Sequence, residues 1–200
     1  MSYRIGVLSV QGDFAEHVVA MNDLDEVDAA PVKTKKAIAT CDALIIPGGE
    51  STTIGKLCER FGLDDAISKL HSAGKPIYGT CAGLILLAKD IVDSEQWRLG
   101  YMDIEIKRNA FGRQVDSFET DLPIKGIEGG QARAVFIRAP CVTRVEDNVE
   151  VLATFRDKIA MVRQGHLLGT TFHPELTEDR RVHQYFLDMV KATENRTGSD

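Results

Sequence analysis

Cys81 sits in "GTCAG" (79–83), between two glycines, where the apolar run "KPIYGT" (75–80) meets a run with helical spacing. G-x-nucleophile-x-G is the form of a strand-to-helix elbow, whose flanking glycines permit a turn that side chains would obstruct. A thiol at the start of a helix feels the partial positive charge of the first turn, which favours the attacking thiolate. The next backbone N–H, that of Ala82, then faces a developing oxyanion. Taken alone, the segment also suits a buried packing cysteine, because the thiol is a common interior group.

A thiolate nucleophile needs an acid–base partner. "TTFHPEL" (170–176) offers His173 and Glu175 two positions apart. With Pro174 holding the connection extended, both side chains project to one face. Glu175 would orient the imidazole of His173 and complete a Cys81–His173–Glu175 triad. An isolated His-Pro-Glu equally suits a surface pair. The other histidines have no comparable setting: His17 and His183 read as lying in polar helical surroundings, and His71 precedes a loop, while His166 follows a glycine turn.

In "PGGESTTI" (47–54) a buried strand ends on two glycines, and Ser51, Thr52 and Thr53 offer N-cap oxygens to a new helix. Without a Cβ in the way, Gly48 and Gly49 can bring backbone N–H groups close to an anionic oxygen and supply the other half of an oxyanion hole at Gly49. No G-x-x-x-x-G-K-[ST] is present, so this is not a phosphate loop. "RNAFGRQVDSFE" (108–119) groups Arg108, Asn109, Arg113 and Gln114 around Phe111 and Gly112, and "FIRAP" (136–140) sets Arg138 in an apolar strand, where its charge calls for a partner. An arginine holds a carboxylate through two parallel bonds, although each of these also suits a structural salt bridge.

The elements that must position these groups alternate. "YRIGVLSV" (3–10), "DALIIPG" (42–48) and "KPIYGT" are near-continuous apolar runs, each followed by helical spacing, which reads as βα units on a parallel sheet covered on both faces. Phe14, Val18, Met21 and Leu24 form one stripe of a helix over 14–24. After about residue 100, shorter strand-like runs separated by "GIEGG" and "RQGHL" indicate an antiparallel portion. Val182, Tyr185, Phe186 and Met189 then mark a terminal helix that packs back onto the sheet.

The chain has 200 residues, 44% of them hydrophobic, enough for one core and too few for two comfortable ones. We read residues 1–196 as a single domain and 197–200 as a frayed tail. A formal charge of −6 disfavours nucleic acid and anionic membranes as partners, and no apolar run approaches a membrane span. Four cysteines lie far apart without a CxxC pair, so reduced thiols in the cytoplasm are expected, with no metal site.

Together, "VQGDFAEH", "PGGESTTI", "GTCAGLILLA", "RNAFGRQVDSFE", "FIRAP" and "FHPEL" resemble the class I (triad) glutamine amidotransferases, and within them the family of glutaminase subunits of pyridoxal 5'-phosphate synthase. "GTCAG" and "HPE" mark the broad class, while "GGESTTI" and "RNAFGRQVDSFE" mark the narrower family; "DIVDSEQWRLGY" (90–101) matches least. The resemblance implies a three-layer flavodoxin-like α/β fold, mostly parallel with a smaller antiparallel portion. It implies hydrolysis of L-glutamine without a cofactor, with ammonia passed to a separate synthase (lyase) subunit. It assigns Cys81 as nucleophile, His173 as base and then acid, Glu175 as its orienting partner, and Gly49, Glu50, Ser51, Arg108, Ile137 and Arg138 as the glutamine site. We expect Glu50 to take the substrate ammonium and an arginine its carboxylate. A glutaminase of another pathway, or a cysteine hydrolase on the same sheet, would share the triad and differ in these outer segments.

Overall fold

The computed structural model describes residues 2–108 and 117–197. The alternation read from the first half is realised as β1 (Tyr3–Leu8), α1 (Phe14–Asn22), β2 (Val27–Val32), α2 (Lys35–Ala39), β3 (Ala43–Ile46), α3 (Ser51–Phe61), α4 (Leu63–Ser72), β4 (Ile77–Thr80) and α5 (Ala82–Leu87). The second half is strand-rich: β5 (Ala88–Ile91), β6 (Met102–Lys107), β7 (Ser117–Leu122), β8 (Ala132–Ile137), β9 (Cys141–Val145), β10 (Glu150–Phe155), β11 (Lys158–Gln164) and β12 (Leu167–Thr170), closed by helix α6 (Arg181–Thr197). Of the tail expected to fray, Thr197 still belongs to α6, and 198–200 lie outside the described residues.

The stripe read over 14–24 ends earlier, at Asn22. Its side chain bonds the backbone N–H and C=O of Ala29, each at 2.9 Å, and so turns the chain into β2, leaving Leu24 half-buried beyond the helix.

Among the described residues ten strands form one sheet, ordered β2-β1-β3-β4-β12-β11-β9-β6-β5, with β10 beside β11. The run from β2 to β12 is parallel throughout. β11 then pairs antiparallel with β12, β9 and β10, and β6 with β9, while β5 lies parallel to β6. β7 and β8 form a separate antiparallel ribbon.

Strand residues alternate between two cores because successive side chains leave opposite faces. Leu44 and Ile46 of β3, with Ile77 and Leu167, meet Ile54, Ile67 and Leu84 from helices α3, α4 and α5 on one face. Ile45, Tyr78 and Leu168 meet Met21 of α1, Phe186 of α6 and Phe136 of the ribbon on the other. Three layers result.

Helix α5 lies so close to the sheet that its glycine is a packing requirement. A Cβ at Gly83 would stand 2.0 Å from the carbonyl oxygen of Ile46, and one at Gly79 would stand 2.6 Å from the Gly83 backbone. Neither neighbour is a side chain that can swing away. Overpacking of this kind costs about 1–3 kcal/mol, so Gly83→Ala should lose about 2–3 kcal/mol in urea unfolding, with the elbow displaced along with the helix.

Candidate active site

β4 and β12 pair with Thr80 opposite Thr170, and the reactive groups leave the sheet just beyond those residues. Cys81 follows Thr80 with φ 48° and ψ −97°, a conformation costing a non-glycine residue on the order of 1–3 kcal/mol. It is pinned from both sides: its N–H donates to the Thr170 carbonyl at 2.8 Å, and its carbonyl accepts from the Ile85 N–H at 3.1 Å. The side chain is thereby held at the wall of a cavity of about 440 Å³. Ala82, the first residue of α5, has an N–H without an acceptor inside the helix.

His173 stands three residues beyond β12. Its N–H donates to the Val135 carbonyl of β8 at 2.7 Å, and its ring packs against Gly48, where a Cβ would be 2.3 Å from Cε1. The extended connection expected from Pro174 is instead a 3-10 turn over Pro174–Leu176, with proline in its first turn as its fixed φ allows. The turn still joins the pair: His173 Nδ1 and Glu175 Oε1 are 2.7 Å apart, with Asp13 Oδ2 at 3.7 Å.

Two opposing effects decide the charges here. Burial alone would lower the pKa of His173, but its hydrogen bonds to Cys81 and Glu175 and their charges outweigh burial and raise it to about 10. At Glu175 burial prevails over the His173 pairing, and its pKa is raised. The three potential ligand atoms on Asp13, His173 and Glu175 lie within 4.8 Å of one another among the described residues, yet Nδ1 is already engaged by Glu175, so the cluster is arranged to hold a proton.

The cavity is lined by Gly49, Glu50, Ser51, Cys81, Arg108, Ile137, Arg138 and His173, so residues far apart in sequence converge on it. Ala82 and Glu175 stand behind this lining, buried. Asn109, Phe111, Gly112, Arg113 and Gln114 lie outside the described residues.

Three expectations change in detail. The cap of α3 is not Ser51, Thr52 or Thr53 but Glu50, whose longer carboxylate reaches the N–H groups of Thr52 (3.2 Å) and Thr53 (2.8 Å). Burial raises the Glu50 pKa, but the bonds from Thr53 and Thr52 together outweigh it and hold the carboxylate below its ordinary range. Glu50 is also 3.4 Å from the Arg108 guanidinium, so these two charges face each other before any ligand enters. Arg138 does not sit inside the strand: β8 ends at Ile137, and Arg138 turns outward at φ 42°, exposed, so its charge needs no buried partner.

Sequence reasoning missed three contributors. Gln96, in the segment of least resemblance, accepts from Arg108 at 2.8 Å and exchanges hydrogen bonds with Ser51 at 3.1–3.2 Å, so it braces two cavity residues at once. Gln11 accepts the Glu50 N–H at 2.8 Å and fixes the glycine turn from the β1 side. His17, read as polar-surrounded, is fully buried beside Glu175, as is His183 beyond it. No spacing signal links these residues, because their contacts span many tens of positions. Trp97 is half-buried against Gly55, the packing role its loop position suggests.

A parallel sheet with a cysteine elbow after one strand and a His–Glu pair after its neighbour is the arrangement expected of the triad glutamine amidotransferases. Residues 7–192 match the SNO glutamine amidotransferase family, to which the chain belongs. It is 54% identical over 187 residues to the pyridoxal 5'-phosphate synthase subunit PdxT of Moorella thermoacetica, covering 94% of this chain and 99% of the relative. It is 53% identical over 189 residues to the PdxT of Desulforudis audaxviator, covering 94% and 98%. A crystal structure of a glutamine amidotransferase superposes with a TM-score of 0.89 at 50% identity, over 94% of this chain and 98% of that one. The structure of PurLQS from Thermotoga maritima shares the fold with a TM-score of 0.71 at 19% identity, over 94% and 99%. The fold is thus the three-layer class I amidotransferase α/β architecture.

Because the His173 pKa is raised in the folded protein, its charged form contributes stability that is fully present below about pH 6.5 and is lost as the pH rises toward about 10. The stability advantage of the wild type over His173→Gln should therefore shrink across that window in urea unfolding. The NMR titration midpoint of the His173 ring should fall in Glu175→Gln.

Proposed function

We propose that this chain hydrolyses L-glutamine to L-glutamate and ammonia through Cys81, His173 and Glu175, and delivers the ammonia to a separate synthase subunit that makes pyridoxal 5'-phosphate. The observation that carries the reading is the convergence, on one cavity, of a strained cysteine and a His–Glu pair with the Arg108–Glu50 charges.

The Cys81 thiolate attacks the side-chain amide carbon of glutamine, and the carbonyl electron pair moves onto oxygen. Backbone N–H groups at Gly49 and Ala82 take the oxyanion, the geometry from which acyl transfer draws its largest electrostatic help. The tetrahedral adduct collapses, the C–N bond breaks, and ammonia leaves with a proton from the His173 imidazolium. His173, now neutral, takes a proton from water as it attacks the γ-glutamyl thioester, releasing glutamate and restoring the thiolate–imidazolium pair. Glu175 orients the His173 ring throughout and stabilises it whenever it is charged. These steps use only side chains, backbone and water.

Arg108, Glu50 and Arg138 offer the cavity both signs of charge for the amino-acid head, with Ser51 and Ile137 beside them. Binding then exchanges part of the Arg108–Glu50 contact for contacts to the substrate carboxylate and ammonium, and Gln96 keeps Arg108 in place meanwhile. The relatives' designation as synthase subunits supports a heteromeric complex. Residues 1–196 act as one domain. No described helix is long and apolar enough to cross a membrane, and the four cysteines are free and buried, which supports a reducing, cytoplasmic setting.

Cys81→Ala should abolish ammonia release from glutamine while leaving the fold and synthase binding intact; retained activity would remove the nucleophile assignment. Hydrogen bonds to charged groups are worth about 1.5–3 kcal/mol, so Arg108→Met should raise KM for glutamine on the order of 10- to 100-fold with a smaller change in kcat. A free glutaminase wastes glutamine, so turnover should be slow alone and stimulated by the synthase, with the Gly48–Gly49 peptide, now held by the Asp13 N–H at 3.1 Å, as the switch. Equal rates with and without the partner would overturn that coupling.

A further inference from the structure

Behind the triad lies a second, wholly buried set of groups that the reaction above does not use. Glu175 Oε1 faces His173, but Oε2 is buried without a hydrogen-bond partner among the described residues, and the ring nitrogen Nε2 of His17 on α1 stands 3.4 Å away. The same Nε2 is 3.0 Å from Thr80 Oγ1 on β4, and His17 Nδ1 is 3.1 Å from Nε2 of His183 on α6. Both rings are fully buried.

The proton positions follow from which groups can be satisfied. A neutral imidazole donates from one nitrogen and accepts at the other. If His17 carried its proton on Nδ1, it would donate to His183 Nε2. His183 would then carry its own proton on Nδ1, which is buried without a partner. Glu175 Oε2 would meanwhile face the lone pair of His17 Nε2, a negative charge against an electron pair. The opposite arrangement removes both conflicts: His183 donates from Nε2 to His17 Nδ1, and His17 donates from Nε2 to Thr80, beside Glu175. The group then left over is an acceptor lone pair on His183, which costs less than an orphaned N–H.

We infer that His17, protonated on Nε2, is a positioning residue of the triad: its N–H dipole faces the second carboxylate oxygen of Glu175 and holds that carboxylate ionised and aimed at His173, while His183 sets the tautomer. The inference rests on the reading of Cys81, His173 and Glu175 as the triad. The 3.4 Å contact is not itself a hydrogen bond, since Nε2 bonds Thr80 Oγ1 at 3.0 Å, but in a buried site an N–H dipole beside a charge is worth far more than in water. Burial, followed by the charges of His183 and His173, lowers the pKa of His17, which keeps the ring neutral as this role requires. His183 is likewise lowered to about 3 by burial and by Arg180, with Asp179 opposing. Among the described residues, the groups whose charge or contact reaches Glu175 are His173, Asp13 at the start of α1, His17, and Tyr78 of β4.

The test compares His17→Leu, which removes the donor, with His17→Gln, whose amide N–H can stand in for Nε2. Ammonia release gives kcat and KM, iodoacetamide alkylation at Cys81, read by peptide mass, is followed against pH, and thermal unfolding checks both variants. We expect His17→Leu to lose at least tenfold in kcat with KM within twofold, and to shift the acidic limb of Cys81 alkylation upward, because an unsupported Glu175 binds its proton more tightly. His17→Gln should recover most of both. A folded His17→Leu with wild-type kcat and alkylation profile would overturn the inference, as would equal losses in two folded variants. The imidazole nitrogen shifts of wild-type His17 provide a reading that no variant's folding can obscure: Nε2–H supports the inference and Nδ1–H overturns it. Alkylation and tautomer do not depend on glutamine, so failure of the wild type to release ammonia would count against the proposed reaction alone.

Discussion

β4 and β12 lie side by side and run the same way, with Gly79 against Gly169 and Thr80 against Thr170, so two segments ninety residues apart in the chain finish at one edge of the sheet. The ladder continues one step past the strands, through the bond from the Cys81 N–H to the Thr170 carbonyl. That bond, with the first turn of α5, holds Cys81 in a backbone conformation that an unrestrained residue would leave at once. Three residues beyond Thr170, His173 is fixed by a backbone bond to β8 and by its packing against Gly48. Slip this pairing by one residue and every side chain on β12 changes face, which would carry Leu167 and Leu168 out of their respective cores. The hydrophobic alternation of the sheet therefore sets the distance between the thiol and the imidazole.

The same edge solves an electrostatic problem. An imidazolium is costly in an apolar interior, and a carboxylate more so, yet acyl transfer needs both at hand. The structure places the pair at the boundary between the Phe172 side of the core and the open cavity, so that the His173 side chain retains a little exposure while that of Glu175 has none. Glu175 bonds His173 from the dry side, and the cavity opens on the wet side. Glu50 and Arg108 repeat the pattern at the rim, where exposure keeps their mutual attraction weak enough for a ligand to displace.

Much of this could be read from the residues in order. "GTCAG" announced an elbow because glycines on both sides permit a tight strand-to-helix turn, and they do allow helix and sheet to touch backbone to backbone. The apolar runs placed β1, β3 and β4 with small errors at their ends, and the change of pattern after residue 100 announced the antiparallel half. Other features were invisible. Gln96 lies in a stretch with no periodicity, and only the fold brings it to Ser51 and Arg108. His17 sits in "DFAEHVV", where charged neighbours gave no sign that its own side of α1 faces the sheet. The cap of α3 passed to Glu50 because reach, and not residue type, decides which oxygen meets the free N–H groups.

By itself, the sequence determined the candidates for the local chemistry: which cysteine stands where a nucleophile would, which His–Glu pair lies close enough in the chain to share a proton, where glycine leaves space for an anion, and that buried parallel strands must carry them. Those properties depend on a residue and its immediate neighbours. Only the tertiary structure decided which groups share a surface: that Thr170 stands beside Thr80, that Arg108 meets Glu50 before any substrate does, and that His17 and His183 close the space behind Glu175. Burial and pairing are made by elements distant along the chain, and the charge a histidine carries depends on them more than on its sequence neighbours.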